Sequence, residues 1–162
     1  MVPALKCACA ARFGSDMREQ FALATQIRDR LSAANDAVLR IRRLKSAIAQ
    51  RTARADAPDV ISSANDVTRK LSAVEENLYQ VRNRSGQDPL NFPIKLNNRI
   101  GALGRSVMTG DARPTAASYT VYRELSAQLD AELKRLEQVI GTDVEALNRV
   151  LAGRNLDRIR AE

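Results

Sequence analysis

Few residues in this chain combine the types and spacings that chemistry demands. Its 162 residues contain no His and no Trp, which removes His-based triads, His metal sites and His-driven pH switches. Cys7 and Cys9 form a lone C-x-C. Two thiolates without a His or a second Cys pair do not close a tetrahedral zinc site. The reading is two free thiols, whose redox state the spacing leaves open. Glu75 and Glu76 are adjacent and splay to different faces of a helix, while Asp130, Glu132 and Glu137 stand on a charged outer face beside Lys134 and Arg135. None falls at an apolar seam position that would raise its pKa for acid–base work. No base can be named for the serines and threonines, and no Gly-rich phosphate loop is present. The expectation is a protein that is not an enzyme, with no catalytic, metal or cofactor-binding residue and no cofactor.

Two other segments could recognise a partner. The first is basic: Arg40, Arg42, Arg43, Lys45, Arg51 and Arg54 have no acid among them. Residues 1–84 hold 15 basic and 9 acidic residues, against 11 and 10 in 85–162, so most of the formal charge of +7 lies in the first half. Such a stripe could meet phosphates on nucleic acid or an anionic surface, in a salt-dependent way. Against this, no aromatic residues are interleaved for base stacking and no DNA-reading motif is evident, and cations near a helix C-terminus also meet the helix dipole. The second segment is QDPLNFPIKLN, residues 87–97, with two prolines, an Asp, three amides and an aromatic in one short connection. It reads first as a rigid corner of a bundle and, compatibly with that, as a docking surface made of Asp88, Pro89, Asn91, Phe92, Pro93 and Lys95.

These segments must be positioned by helices. Apolar content of 44% excludes a disordered chain, and no stretch reaches the roughly 20 apolar residues of a membrane span. From Met17 to about Arg51, Met17, Phe21, Ala24, Ile27, Leu31, Ala34, Val38, Ile41 and Ile48 recur at steps that share one helix face, with Ser15 or Asp16 as cap and Lys45 at a weak point of the seam. After Pro58, the seam Val60, Ala64, Val67, Leu71, Val74, Leu78, Val81 alternates steps of four and three, and the helix should end near Asn83. Gly86, Pro89 and Pro93 break the chain, and Leu90 and Phe92 are placed to plug the open end of the bundle. A third helix carries Ile94, Leu96, Ile100, Leu103 and Val107, with Gly101 and Gly104 weakening it or permitting close approach to a neighbour. The last begins near Thr115 and bears Tyr119, Tyr122, Leu125, Leu129, Leu133, Leu136 and Ile140. It kinks or restarts near Gly141, where Thr142–Glu145 has the form of a capping box. No β pattern competes. The expected fold is all-α: an antiparallel bundle of about four main helices in two hairpins, spanning 16–152, with a weakly structured tail at 1–15 and a frayed end at 153–162.

One resemblance accompanies this reading. QDPLNFPIKLNNRIGAL (87–103), GDARPTAASYTVYRELSAQLDAELKRLE (110–137), TDVEALN (142–148) and REQFALATQIRDRLSAANDAVLRIRRLK (18–45) resemble the C-terminal helical region of bacterial sortilin/Vps10-like proteins with a BNR-repeat β-propeller. Those proteins often carry a glycosyl hydrolase label. The QDPLNFPIKLNN block is its most specific part. The resemblance implies an accessory domain that docks on a β-propeller, in the same or another chain, or self-associates. It carries over no catalytic residue, because the repeats behind a hydrolase label have no counterpart among these residues. It suggests export, whereas 1–15 lack the apolar run of a signal peptide; localisation stays unknown. A stand-alone bundle and the tail of a longer protein both stay open.

Overall fold

The computed structural model describes residues 3–53, 57–86 and 88–160, with side chains from 13 onward and Pro89 excepted. Four main helices form: α1 (Pro3–Thr52), α2 (Pro58–Leu78), α3 (Leu96–Val107) and α4 (Ala116–Gln138). A π-helical stretch, Val139–Val144, joins α4 to a short α5 (Glu145–Ala152). A single 3-10 turn, Asp88–Leu90, marks the connection between α2 and α3. No strand occurs among the described residues. The all-α antiparallel bundle expected from periodicity is the fold.

The cross-helix bonds arrange these helices as three rods. Arg42 of α1 meets Glu75 of α2, while Asn35 meets Asn97 and Gln20 meets Val107 and Gly110. As residue numbers fall along α1 they rise through α2 and then α3, so α2 and α3 together form one antiparallel rod. Arg30 meets Asp130 and Arg40 meets Glu137, so α4 runs parallel to α1. Lys70 meets Asp143 and Arg154 meets Asp59, which carries the third rod antiparallel to α2 through α5. The two expected hairpins are thus one up-down-up bundle whose middle rod is broken at 79–95. The break lies level with residues 35–42 of α1, halfway along the bundle.

The core follows the sequence closely in α2. Val60, Ala64, Val67, Leu71, Val74 and Leu78 are all buried. The helix stops at Leu78, short of the expected Asn83. Tyr79 is already extended, although its N–H still donates to the Glu75 carbonyl, and Val81 is exposed. In α1 the seam differs from the expected one at its start. Leu23, Ala37 and Leu44 are buried, and Phe21 is 71% exposed. At about 100° per residue Phe21 points some 200° away from Leu23, on the opposite side of the helix. Leu44, not Lys45, fills the position between Ile41 and Ile48. α1 also reaches back to Pro3, where a weakly structured tail was expected. Ala4, Ala8, Ala10 and Ala11 favour helix, and a Pro at the start loses no bond. Neither Ser15 nor Asp16 is therefore a cap.

Gly104 does permit close approach: a Cβ there would lie 3.3 Å from Ile27 Cγ2. The kink or restart expected near Gly141 takes the form of the π-helical stretch that joins α4 to α5, and no side chain caps it. Leu136, Ile140 and Val144 are spaced by two consecutive fours, which drift by about 80° around an α-helix of 3.6 residues per turn. The wider π turn restores the phase, so Val144, Leu147 and Leu151 are buried. Thr115 caps α4, its hydroxyl accepting from the Ser118 N–H at 3.1 Å.

The C-terminal segment expected to fray is docked. Asn155 adopts a left-handed conformation with φ 56°, and the Leu156 N–H returns to the Leu151 carbonyl at 3.0 Å. That turn brings Ile159 into the core at 2% exposure. The Asn148 amide accepts from the Ile159 N–H at 2.8 Å and donates to its carbonyl at 3.1 Å. A short tail is held because both of its buried backbone groups find partners.

Candidate functional site

The break in the middle rod forms the candidate site. Two side chains hold it in shape. The Asp88 carboxylate accepts from the backbone N–H of Arg84, from that of Ser85 at 2.7 Å and from the Ser85 hydroxyl at 2.9 Å. These bonds hold the Asp88 carboxyl below its ordinary value of 3.8, those from the Arg84 and Ser85 N–H groups first. Its carbonyl also accepts from the N–H groups of Asn91 and Phe92. Across the loop, the buried Gln80 amide donates to the Pro93 carbonyl at 2.8 Å and accepts from the Arg82 N–H at 3.2 Å. Asp88 thus clasps the first half of the connection, and Gln80 ties its second half to the end of α2.

The apolar residues of the connection do not plug an end. Leu90 is 87% exposed and Ile94 54%. The reason is the location of the break: α1 and α4 already seal the core beside it, so there is no open end for Leu90 to fill. Phe92 is half-buried, with the Arg82 guanidinium 5.8 Å from its ring centre. Asn91 and Pro93 are exposed and Lys95 is half-buried. The side chain of Pro89 and residue Gln87 lie outside the described residues. Of the sequence-derived docking set, Phe92, Pro93 and Lys95 line one hollow, and Asp88 positions the backbone that leads into it.

The basic stretch is largely spent inside the bundle. Arg42 Nε donates to Glu75 Oε1 at 2.7 Å, Lys45 Nζ to Glu75 Oε2 at 3.1 Å, and Arg40 pairs with Glu137. Arg51 approaches Asp157 at 3.9 Å. Arg43 is exposed and makes no ion pair among the described residues. Arg54 lies outside them, as do the Cys7 and Cys9 side chains. Arg42 and Lys45 face α2, Arg40 faces α4 and Arg51 faces the C-terminal segment, because a helix packed on two sides turns much of its polar surface toward a neighbour's flank.

Sequence reasoning missed two carboxylates. Glu75, which the spacing puts off the apolar seam, has a side chain only 5% exposed and satisfied by two cations. Arg42, in turn, lies 5.0 Å over the Tyr79 ring. Glu132 was placed on the outer face, yet its Oε1 accepts from Asn77 at 2.9 Å and its Oε2 is buried without a partner. The available signal was position: Glu75 follows Leu71 by four residues and Glu132 follows Leu129 by three, so both flank the apolar seam.

No group of three or more His, Cys, Asp or Glu among the described residues could hold a metal ion. None of the described helices is long and apolar enough to cross a membrane. No family model matches the chain, and no curated protein or solved structure matches it.

Proposed function

We propose that this chain is a non-catalytic helical accessory domain that docks on a protein partner through the connection 79–95. The observation that supports this reading is Leu90, 87% exposed on a turn clasped by Asp88. A large apolar side chain held out on a fixed backbone costs little further ordering when it binds, which is what an interface anchor requires. Ile94 and Val81, both exposed in the same connection, extend the apolar surface. The partner class is a BNR-repeat β-propeller, in the same or another chain. It rests on the likeness of QDPLNFPIKLNN and the flanking helices to the tail of such proteins. Anion contact through 40–54 is the weaker reading, since Arg40, Arg42 and Arg51 are engaged within the bundle.

The test is calorimetric titration of the chain against a BNR-repeat propeller domain of that family. Burial of one leucine is worth about 1.5–3 kcal/mol, so Leu90→Asp should weaken association by at least about tenfold. Arg43→Ala should change it less than about twofold, within the usual range of a rim charge. Absence of association, or equal losses in the two variants, overturns the reading. Titration with duplex DNA at two salt concentrations separates the alternative: a salt-sensitive affinity lost on Arg43→Ala would favour it.

A further inference from the structure

The connection between α2 and α3 contains a hollow of about 190 Å³, lined by Glu76, Gln80, Val81, Arg82, Phe92 and Lys95 among others. Buried Gln80 holds two of its walls at once, accepting from the Arg82 N–H and donating to the Pro93 carbonyl. The Arg82 guanidinium lies 5.8 Å from the centre of the Phe92 ring. A guanidinium stacked on a ring keeps its N–H edge available for a carboxylate. None of Arg82, Arg84 and Lys95 makes an ion pair among the described residues. Two acids share this region. The Asp88 carboxylate is engaged by the Arg84 and Ser85 N–H groups, and Glu76 is exposed at the end of α2. The connection thus presents apolar Val81, Leu90 and Ile94 together with cationic Arg82, Arg84 and Lys95, whose charges the bundle leaves unanswered.

We infer that the protein surface received here is acidic: an apolar side chain of the partner enters the hollow, and carboxylates beside it pair with Arg82 and Lys95. This rests on the docking reading and adds the chemistry of the partner to it. Opposite charge around an apolar contact speeds encounter and fixes its register, whereas a basic surface would be repelled. Arg82 loses little freedom on pairing, because the Phe92 ring and the Gln80 bond already hold it. Phosphates of nucleic acid or lipid suit the site less. The cations are few, Glu76 stands among them, and a phosphate backbone would leave Val81, Leu90 and Ile94 uncovered.

The test uses the full chain in two arms. In the first, association with a BNR-repeat propeller domain is followed in real time. Raising salt from about 50 to about 500 mM should slow association about tenfold or more. Arg82→Glu with Lys95→Glu should do the same, and Arg82→Gln with Lys95→Gln should fall between, all in protein of unchanged circular dichroism. Leu90→Ala should mainly speed dissociation. In the second arm, NMR titration of backbone amides follows a short capped peptide of glutamates flanking leucine, the same peptide with lysines, and duplex DNA. Saturable shifts at 76–82 and 94–95 are expected with the glutamate peptide alone. Where the propeller binds, its charge dependence decides: association indifferent to salt and to both double variants overturns this inference and leaves docking intact. Where the propeller does not bind, that partner class is overturned and the peptides decide. Binding of the glutamate peptide at those amides then supports an acidic partner. No saturation, equal binding of the lysine peptide, or tighter binding of DNA at the same amides overturns it.

Discussion

Glu75 allows a demanding test of how the bundle is held together at mid-length. Its carboxylate is 5% exposed, while Arg42 and Lys45, which satisfy it, are 49% and 30% exposed. The costs of removing each side of this cluster are therefore unequal. In Glu75→Met the buried charge disappears, a similar volume remains, and both cations can turn to water. Replacing buried ionic groups by apolar ones of like size is often near neutral, so the expected change lies within about 1 kcal/mol either way. In Arg42→Met with Lys45→Met, the carboxylate stays in the core with no partner. Breaking a buried pair in this way costs about 3–5 kcal/mol. Water can reach the half-exposed cation sites, which lowers the expectation to about 2–3 kcal/mol. The triple variant should recover most of that loss, because no charge is left stranded. Urea denaturation with far-UV circular dichroism measures all three, provided the m-value is unchanged. If Glu75→Met costs more than the double cation variant, or the triple variant is additive, the cluster is not organised around the desolvated carboxylate.

Asp88 should give the connection an acid sensitivity of predictable sign. A carboxyl held below its ordinary 3.8 contributes stability that is present above that pH and is lost as pH falls through the lowered folded-state value. The protection factors of the Arg84 and Ser85 amides, with the intrinsic pH dependence of exchange divided out, should fall in that window, and Asp88→Asn should remove that fall; protection factors that do not change with pH in the parent protein would contradict it. Asn148→Ala should release the C-terminal segment. Removing two bonds worth about 1 kcal/mol each should cost about 2 kcal/mol by denaturant titration, with trypsin then cutting first at Arg154, Arg158 or Arg160. Gly141→Ala should stabilise by about 0.4–1 kcal/mol, since a Cβ there meets nothing within 4 Å. A loss in thermal stability would mean that the π turn needs glycine.

How much was legible depended on how many neighbours an element has. The α2 seam reads directly, because Val60 to Leu78 faces a single core and keeps one phase throughout. The start of α1 misleads, because Met17 and Phe21 continue the spacing of a stripe that the bundle does not cover at Phe21. The corner at 85–93 was legible as a corner from its prolines and Asp88. That Leu90 faces water was not, because exposure depended on α1 and α4 closing the core beside the break. The basic residues were visible as a stripe, but their acids, Glu75, Glu137 and Asp157, come from three distant parts of the chain.

By itself the sequence determined the local terms: helices of these phases, a break at Gly86, Pro89 and Pro93, and an irregularity at Gly141. Each follows from backbone sterics and the 3.6-residue period acting over a few neighbouring residues. Tertiary structure alone decided that α2 and α3 share one rod, that Ile159 is core, and that Glu132 meets Asn77. Those are contacts between residues far apart in sequence, and no local rule specifies which flank of one helix meets which flank of another until the apolar seams have been buried together.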